Sequence, residues 1–271
     1  MIGMARSSYY YRKRHVVPGI SDQELRSRID DIHAELPGYG YRRIRHHLKR
    51  EGLVINGKRL RRIMKLFGLH PVCWKNFVVA TTDSQHNFPV FRNLTKGLIV
   101  DRPNQVWVAD ITYIRLQAGF IYLAAILDRF SRRVIGWSLS KRLDRQLCLA
   151  ALRMALRQRG AVQGCIHHSD RGVQYASRDY VELLQAHGLH ISMSASGNPY
   201  DNAHMESFYK TLKYEEVHLW NYETFQHALD RVPYFLEQVY NQKRLHSALG
   251  YLPPAGFEAA FISQPMPEDL S

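Results

Sequence analysis

The sequence is poor in cysteine and has no long apolar segment. Only three of its 271 residues are cysteines, Cys73, Cys148 and Cys165, and none forms a Cys-x-x-Cys pair. This pattern argues against a disulfide framework and a four-cysteine zinc site, so we expect buried free thiols. The longest apolar run, about residues 120–127, is far shorter than the ~20 residues that a membrane helix needs. No apolar core typical of a signal peptide follows Met1, so we expect a cytoplasmic protein with no membrane partner.

Acidic residues are scarce in the first part of the chain. The formal net charge is +13, and residues 1–75 hold 17 Lys and Arg against 6 Asp and Glu, whereas residues 76–271 hold 20 against 18. A dense basic segment attracts a polyanion, either nucleic acid or an anionic membrane surface. The alternative is a basic face that serves only solubility, which the uneven distribution disfavours.

The basic segment has the pattern of three short helices. Ser21 and Glu24 form a capping box, a second helix begins near Tyr41, and Asn56 can cap a third. These features favour a helix-turn-helix unit, with a small bundle that binds no DNA as the alternative. The third helix places its apolar residues on one side, and we expect its basic residues to contact DNA: Lys58, Arg59, Arg61, Arg62 and Lys65.

After residue 103 the pattern becomes that of an α/β domain with a mixed sheet. We predict strands at 105–116, 120–127, 133–139, 165–168 and 189–193, and helices at 144–159, 177–187, about 201–216 and about 224–241. The predicted organisation is a stub at 1–19, a helix-turn-helix domain at 20–75, a linker at 76–103, a catalytic core at 104–262 and a flexible tail at 263–271.

Three carboxylates lie where chemistry is expected. Asp110 interrupts an apolar strand, Asp170 follows a short strand, and Glu206 lies in the first turns of a helix. A carboxylate inside an apolar strand is costly unless a cation or donor compensates it. Two aspartates and a glutamate suit a hard divalent cation, and two such ions could clamp the attacking and leaving oxygens of a phosphodiester.

Each carboxylate also has a purely structural interpretation. Asp110 could pair with an arginine, Asp170 could cap a turn, and Glu206 could be a solvated helix residue or a favourable charge near a helix N-terminus. Asp128 competes with Asp110 because it too interrupts an apolar strand. Asp201 is better explained as the N-cap of the helix that carries Glu206.

The spacing and the surrounding residues resemble a known family. Thirty-five residues separate Asp170 from Glu206, as in the Asp, Asp, 35-residue gap, Glu signature of retroviral integrases and many bacterial transposases. The segments WVADITY (107–113), HSDRGVQY (168–175), NAHMESF (202–208), YNQKRLH (240–246) and YGYRRI (39–44) resemble the second-frame product of insertion-sequence transposases of the IS-three family. The resemblance covers most of residues 20–260.

The resemblance implies a ribonuclease H-like core preceded by a small all-α helix-turn-helix domain. In that fold the first Asp lies on the first strand, the second just after the fourth, and the Glu on a later helix, which fits Asp110, Asp170 and Glu206. Asp128 then falls on the second strand and is structural. A retroviral integrase would also need a His-His-Cys-Cys zinc module upstream, for which residues 1–100 offer only Cys73.

The implied chemistry is strand cleavage followed by strand transfer. The three carboxylates would hold two Mg²⁺ ions, with Mn²⁺ as a substitute; water would cut at the element's end, and the 3′-hydroxyl would attack another phosphodiester. The implied partners are element ends and target DNA, further copies of the chain on DNA, and an upstream-frame protein, since this chain has no heptad run. We expect association with the nucleoid when DNA is bound.

Two lysines follow Glu206 at helical spacing. Lys210 and Lys213 lie four and seven residues beyond it, which returns both to nearly the same side of a helix. Lys210 could form an ordinary Glu–Lys helix pair. Lys213 matches a basic residue that, in similar transposases and integrases, is thought to hold the DNA end, so we expect both lysines to contact DNA.

Two other functions remain open from the sequence. One is a DNA-binding regulator with an inactive catalytic domain, which the intact set of carboxylates disfavours. The other is a nuclease of the same fold that only hydrolyses DNA.

Overall fold

The computed structural model describes residues 20–72, 90–160, 162–194 and 202–263. The chain divides into two compact units, Met1–Pro71 and Val72–Ser271. The predicted N-terminal stub, Cys73, the first half of the predicted linker, Asp201 and nearly all of the predicted tail lie outside the described residues.

The first unit contains the three predicted helices: α1 (Asp22–Glu35), α2 (Tyr41–Arg50) and α3 (Gly57–Leu66). Two of them begin at the predicted caps. The Ser21 hydroxyl accepts from the Glu24 N–H at 3.1 Å, and the Asn56 side chain accepts from the Lys58 N–H at 2.8 Å. One apolar residue per turn of each helix is buried, forming a core of Leu25, Ile29, Ile44, Leu48, Leu60 and Ile63.

The second unit is built on a five-stranded mixed sheet. Strands β1 (Val106–Arg115), β2 (Phe120–Asp128) and β3 (Val134–Ser140) form an antiparallel meander. Strands β4 (Ile166–Ser169) and β5 (His190–Met193) run parallel to β1, and the strand order is β3-β2-β1-β4-β5. The predicted α/β architecture with a mixed sheet, preceded by a small all-α region, is therefore confirmed.

Two helices connect the parallel strands and cover one face of the sheet. Asp144 caps α4 (Arg145–Arg159), accepting from the Leu147 N–H at 3.1 Å. Gly136 of β3 lets α4 approach closely, because a Cβ there would lie 2.3 Å from the Ala151 carbonyl oxygen. Ser177 precedes α5 (Arg178–Ala186) as predicted, but its hydroxyl donates to the Gln174 carbonyl at 2.7 Å instead of capping the helix.

The C-terminal helices follow the predicted pattern, with two wider segments. The helix that begins at Ala203 widens into a π-helical turn, and the helix that contains Pro233 widens just after it, where the missing proline N–H removes a normal helix bond. In order the elements are α6 (Ala203–Leu212), the π-turn Lys213–Val217, α7 (His218–Trp220), α8 (Phe225–Tyr234), the π-helix Phe235–Lys243, a 3₁₀ turn (Ser247–Leu249) and α9 (Pro254–Ile262).

Successive side chains of β1 point to opposite faces of the sheet, so neighbouring residues pack in different surroundings. Trp107 and Ala109 belong to the core that includes residues of α4 and α5. Val108 and Asp110 point to the opposite face, as does Ala125, which is paired with Asp110 on β2. No helix within the described ranges is long and apolar enough to cross a membrane.

Candidate active site

The pairing of β1 with β4 brings two aspartates to one place. The parallel register aligns Trp107 with His167 and Val108 with His168. Carried two residues further, this register sets Asp170 beside Asp110. The carboxyl ends of parallel strands are where α/β sheets build their sites. Asp110 feels the charge of Asp170 strongly enough to raise its pKa.

The Asp110 carboxyl lies in an unfavourable environment for a charge. Burial raises its pKa from the ordinary 3.8 to about 8, and the charges of Asp170 and Glu206 contribute to the rise. One carboxylate oxygen accepts from the Ile111 N–H at 2.8 Å, which lowers the pKa only in part. The cation that also lowers it is Lys213 rather than an arginine. Asp110 is therefore a carboxylate whose negative charge lacks full compensation.

Helix α6 carries Glu206 and is fixed to β1 at Asp110 itself. The Tyr209 hydroxyl donates to the backbone carbonyl of Asp110, and Tyr209 is buried. Glu206 lies one turn earlier on the same helix, with an exposed side chain. Asn202 is the N-cap residue of α6 and makes no side-chain cap bond, and Asp201, the predicted cap, lies outside the described residues.

The turn that holds Asp170 is built from its own backbone. A carboxylate oxygen of Asp170 accepts from the Gly172 N–H at 2.9 Å, and a Cβ on Gly172 would lie 3.0 Å from that oxygen. The Arg171 side chain donates to the Ser194 carbonyl at 2.9 Å, which ties the turn to the end of β5. Asp170 thus shapes its turn and also contributes negative charge at Asp110.

Lys213, seven residues beyond Glu206, acts on Asp110, since its charge lowers the pKa of that carboxyl. Its ammonium stands 4.3 Å from the centre of the Tyr113 ring, a cation–π contact. Burial lowers the pKa of Lys213, and the charge of Asp110 opposes that shift. Lys210 has an exposed side chain. Leu212 and Val217 of the same segment are both buried.

Asp128 has a structural role, as the resemblance implied. It ends β2, and its carboxylate accepts from the N–H groups of Asn104, Phe130 and Ser131 at 2.6, 2.9 and 3.2 Å. It pairs with Trp107, so it points to the face of the sheet opposite Asp110.

His168 also has a buried structural contact. Its Nδ1 lies 2.8 Å from the Ser192 hydroxyl oxygen, which accepts from the Leu94 N–H at 2.9 Å. This chain of bonds joins β4, β5 and the segment before β1.

A complete metal site is not assembled beforehand in the described part of the chain. Among those residues, no three His, Cys, Asp or Glu side chains come together closely enough to hold a metal ion. Asp110, Asp170 and Glu206 therefore share one electrostatic neighbourhood without being gathered at coordination distance.

The basic residues of α3 fall into two groups. Arg59 and Arg62 both bind Asp22 at the start of α1, each with a nitrogen 2.7 Å from a carboxylate oxygen. Arg59 and Arg62 thus join α3 to α1. Arg61 lies 5.1 Å from the centre of the Tyr41 ring and remains exposed. Lys58 and Lys65 are exposed as well.

Three important residues were missed from the sequence. Tyr209 and Tyr113 read as ordinary aromatic packing residues, because their partners lie far away along the chain. The role of Asp22 was hidden by its position in a capping box, where an acidic residue needs no further explanation.

Comparison with known proteins identifies the class and then the family. Residues 100–199 and 187–254 match two descriptions of the integrase core domain, and residues 21–76 match an HTH-like domain. The simian T-cell lymphotropic virus intasome, in complex with PP2A regulatory subunit B56 gamma, has a similar fold, with a TM-score of 0.50 and 18% identity over 89% of this chain and 77% of that one. The second unit is thus an integrase-type core.

Two curated relatives cover nearly the whole chain. The insertion element IS600 uncharacterized 31 kDa protein of Shigella sonnei is 38% identical, over 96% of this chain and 97% of its own. Transposase InsF for insertion sequence IS3A of Escherichia coli (strain K12) is 36% identical, over 95% and 91%. The chain belongs to the insertion-sequence transposases of the IS-three family, as the sequence motifs indicated.

Proposed function

We propose that this transposase cleaves and joins DNA strands by a metal-dependent reaction at Asp110, Asp170 and Glu206. The observation that carries the proposal is the convergence of these carboxylates. The β1–β4 register sets Asp170 beside Asp110, while Tyr209 attaches the helix of Glu206 to the Asp110 backbone. The negative charges of Asp170 and Glu206 both raise the pKa of Asp110.

The three carboxylates suit a hard divalent cation. Their oxygens are the donors that Mg²⁺ prefers, and the raised pKa of Asp110 reflects negative charge that a cation would relieve. We assign Asp110, Asp170 and Glu206 as the ligands of two Mg²⁺ ions, for which Mn²⁺ could substitute. When bound, Mg²⁺ would stabilise charge on the phosphodiester oxygens and favour an ionised attacking hydroxyl.

The reaction has two steps at phosphorus. Water attacks the phosphodiester at the element's end and the leaving strand departs with a 3′-hydroxyl. That hydroxyl then attacks a second phosphodiester, so one bond forms as another breaks. Lys213, near Asp110, holds a phosphate of the reacting strand as a point charge, and Lys210 contacts the same strand from the exposed side of α6.

The helix-turn-helix unit supplies a second DNA contact. Lys58, Arg61 and Lys65 are exposed on α3 and are available to phosphates. Arg59 and Arg62 already donate hydrogen bonds to Asp22, so only their remaining guanidinium N–H groups are available to DNA. We further propose that the DNA comprises element ends and target DNA, that several copies of the chain assemble on it, and that an upstream-frame protein takes part.

The decisive experiment incubates the purified chain with labelled element-end DNA and Mg²⁺. We expect cleaved and joined products with wild type, and neither with Asp170→Asn or Glu206→Gln, although both variants still bind DNA. Cleavage without joining would identify a nuclease, and binding without either reaction would identify a regulator. Near-native joining by a carboxylate variant would refute the assignment.

The contribution of α3 is tested through the salt dependence of binding. Each phosphate contact that is lost should lower the slope of log affinity against log salt by about 0.9. We expect Lys58→Ala, Arg61→Ala and Lys65→Ala together to flatten the slope without lowering the melting temperature. Arg59→Ala is the matched comparison and should lower the melting temperature, because Asp22 loses a partner. An unchanged slope in the triple variant would show that this face does not bind DNA.

A further inference from the structure

A cleft lies next to Lys213, beyond the carboxylates. Its volume is about 860 Å³, and its walls are the end of the β1–β2 hairpin and the segment from the π-turn to Asn221. The hairpin closes through the Leu116 N–H, which donates to the Gly119 carbonyl at 3.0 Å. The Gln117 N–H donates to the Tyr222 carbonyl at 2.9 Å and so joins the two walls. A backbone hydrogen bond therefore fixes the two walls of the cleft relative to each other.

One wall of the cleft is aromatic. The rings of Tyr113 and Phe120 meet edge to face, with centres 5.6 Å apart and an angle of 82° between their planes. Phe120 leaves 50% of its side chain exposed. A single exposed phenylalanine needs no explanation. An exposed ring that lines a cleft beside a second ring forms a surface on which a flat ligand can stack.

The charge of the cleft favours an anion. Among its described lining residues, Arg115 and Lys213 are cationic and none carries a carboxylate. His218 also lines the cleft, but burial lowers its pKa and favours the neutral ring. Lys213 lines this cleft and also lies close enough to Asp110 for its positive charge to lower the pKa of that carboxyl. A chain of phosphates that passes Lys213 therefore lies between the carboxylates and the aromatic wall.

We propose that this cleft binds one unpaired nucleotide of the DNA strand, with its base against Tyr113 and Phe120 and its phosphate at Lys213. Aromatic rings interleaved with cations are typical of sites for single-stranded DNA, because every base can stack and every nucleotide carries a phosphate. A base must leave the duplex to reach such a wall. The inference rests on the proposed function for the identity of the strand. It adds a site that keeps one nucleotide unpaired beside the reacting phosphate.

The test uses uncleaved element-end DNA that carries the fluorescent base 2-aminopurine at one position at a time near the end. With Ca²⁺ in place of Mg²⁺, we expect the wild-type chain to change the fluorescence sharply at one or two adjacent positions, as an unpaired base stacks on the rings. A uniform response at all positions would overturn the proposal.

Matched variants test whether the base contacts the ring of Phe120. Phe120→Leu keeps an apolar side chain but removes the ring, so it should abolish the local signal and weaken binding roughly tenfold, whereas Phe120→Tyr should keep both. Tyr234→Ala removes a ring that is 47% exposed on α8, outside the cleft lining, and should change neither. An unaffected signal in Phe120→Leu, or an equal loss in Tyr234→Ala, would refute the site.

Two further readouts separate the alternatives. If the cleft instead receives another copy of the chain, Phe120→Leu will alter the mass of the DNA-free protein in light scattering while the 2-aminopurine signal persists, and the proposal fails. None of these measurements uses cleavage. The tests of the nucleotide site can therefore be negative while the carboxylate variants still lose activity, which would refute only the site. A positive signal together with active carboxylate variants would support the site and refute the proposed chemistry.

Discussion

Two groups of carboxylates lie in the second unit, and their surroundings differ. Asp110 lies beside Asp170 and Glu206, and its pKa is raised to about 8. At the end of β2, Asp128 accepts from three backbone N–H groups, and the neighbouring Glu258 binds Arg133 and Arg159, with N–O distances of 2.9 and 2.5 Å. Arginine hydrogen bonds hold the pKa of Glu258 below its usual range despite burial. Burial raises the pKa of Asp128 as well, but three backbone N–H groups bind its carboxylate and give it a structural role. Asp110 accepts from the Ile111 N–H and lies near two carboxylates that raise its pKa further, so a cation would relieve its charge.

The largest expected effects come from exchanging the two aspartates for asparagine. Asp110→Asn should reduce joining at least ~10³-fold, since residues that act as a unit in catalysis fail together. Its melting temperature should stay the same or rise, because an amide replaces a carboxyl group whose charged form is disfavoured beside Asp170 and Glu206. Asp128→Asn should do the opposite, losing roughly 2 kcal/mol of stability through a broken acceptor while the folded fraction stays active.

Joining assays and thermal melting of both variants test this contrast. If Asp128→Asn abolished joining without a loss of stability, the two aspartates would have exchanged roles.

The next effect concerns the arginine-bound glutamate. Glu258→Gln removes the anionic partner of Arg133 and leaves Arg159 only the longer contact with Asp128, at 4.0 Å. We therefore expect a loss of roughly 3 kcal/mol in the free energy of unfolding. Denaturant titration measures it. Glu182→Gln is the control, since Arg178 and Glu182 form an exposed pair that should contribute little. Equal effects of the two substitutions would show that the buried cluster does not stabilise the fold.

A smaller effect is expected from the cation near Asp110. Lys213→Ala should reduce joining by roughly 10- to 100-fold with an unchanged melting temperature, because a phosphate loses its charged partner. Lys213→Arg should retain part of the activity, since the charge remains but its geometry changes. Strand transfer at saturating DNA makes the comparison, and wild-type joining by Lys213→Ala would exclude a role for this residue.

The smallest effect is the pH dependence of stability, to which Asp110 and Glu258 should contribute with opposite signs. Asp110 has a pKa raised from 3.8 to about 8, so its contribution is fully present below pH 4 and is lost as the pH rises towards 8. Glu258 has a lowered pKa, so its contribution is present above pH 4.5 and is lost as the pH falls.

Melting curves without divalent metal, from about pH 2 to about pH 9, check both signs. Asp110→Asn should remove the decline on the alkaline side, and Glu258→Gln should weaken the decline on the acidic side. A wild-type alkaline slope that persisted in Asp110→Asn would assign it to another group.

The order of elements could be predicted because local patterns determine it. The apolar and aromatic run in 106–115, the Asp144 start of α4 and the caps at Ser21 and Asn56 are short-range features. The structure has the strand, the helix start and both caps at these places. The predicted domain boundaries remain predictions. The three cysteines were expected to be free thiols, and Cys148 and Cys165 are free and buried.

The sequence by itself determined the family, the elements and the residues in question: Asp110, Asp170, Glu206 and Lys213. Those features depend on spacing along the chain. The tertiary structure alone decided what surrounds each of them, because Tyr209 is 99 residues from the Asp110 carbonyl that it binds, and Asp22 is 37 residues from Arg59. Compensation of a buried charge depends on such distant neighbours, and for that reason two aspartates in similar apolar strands have different environments.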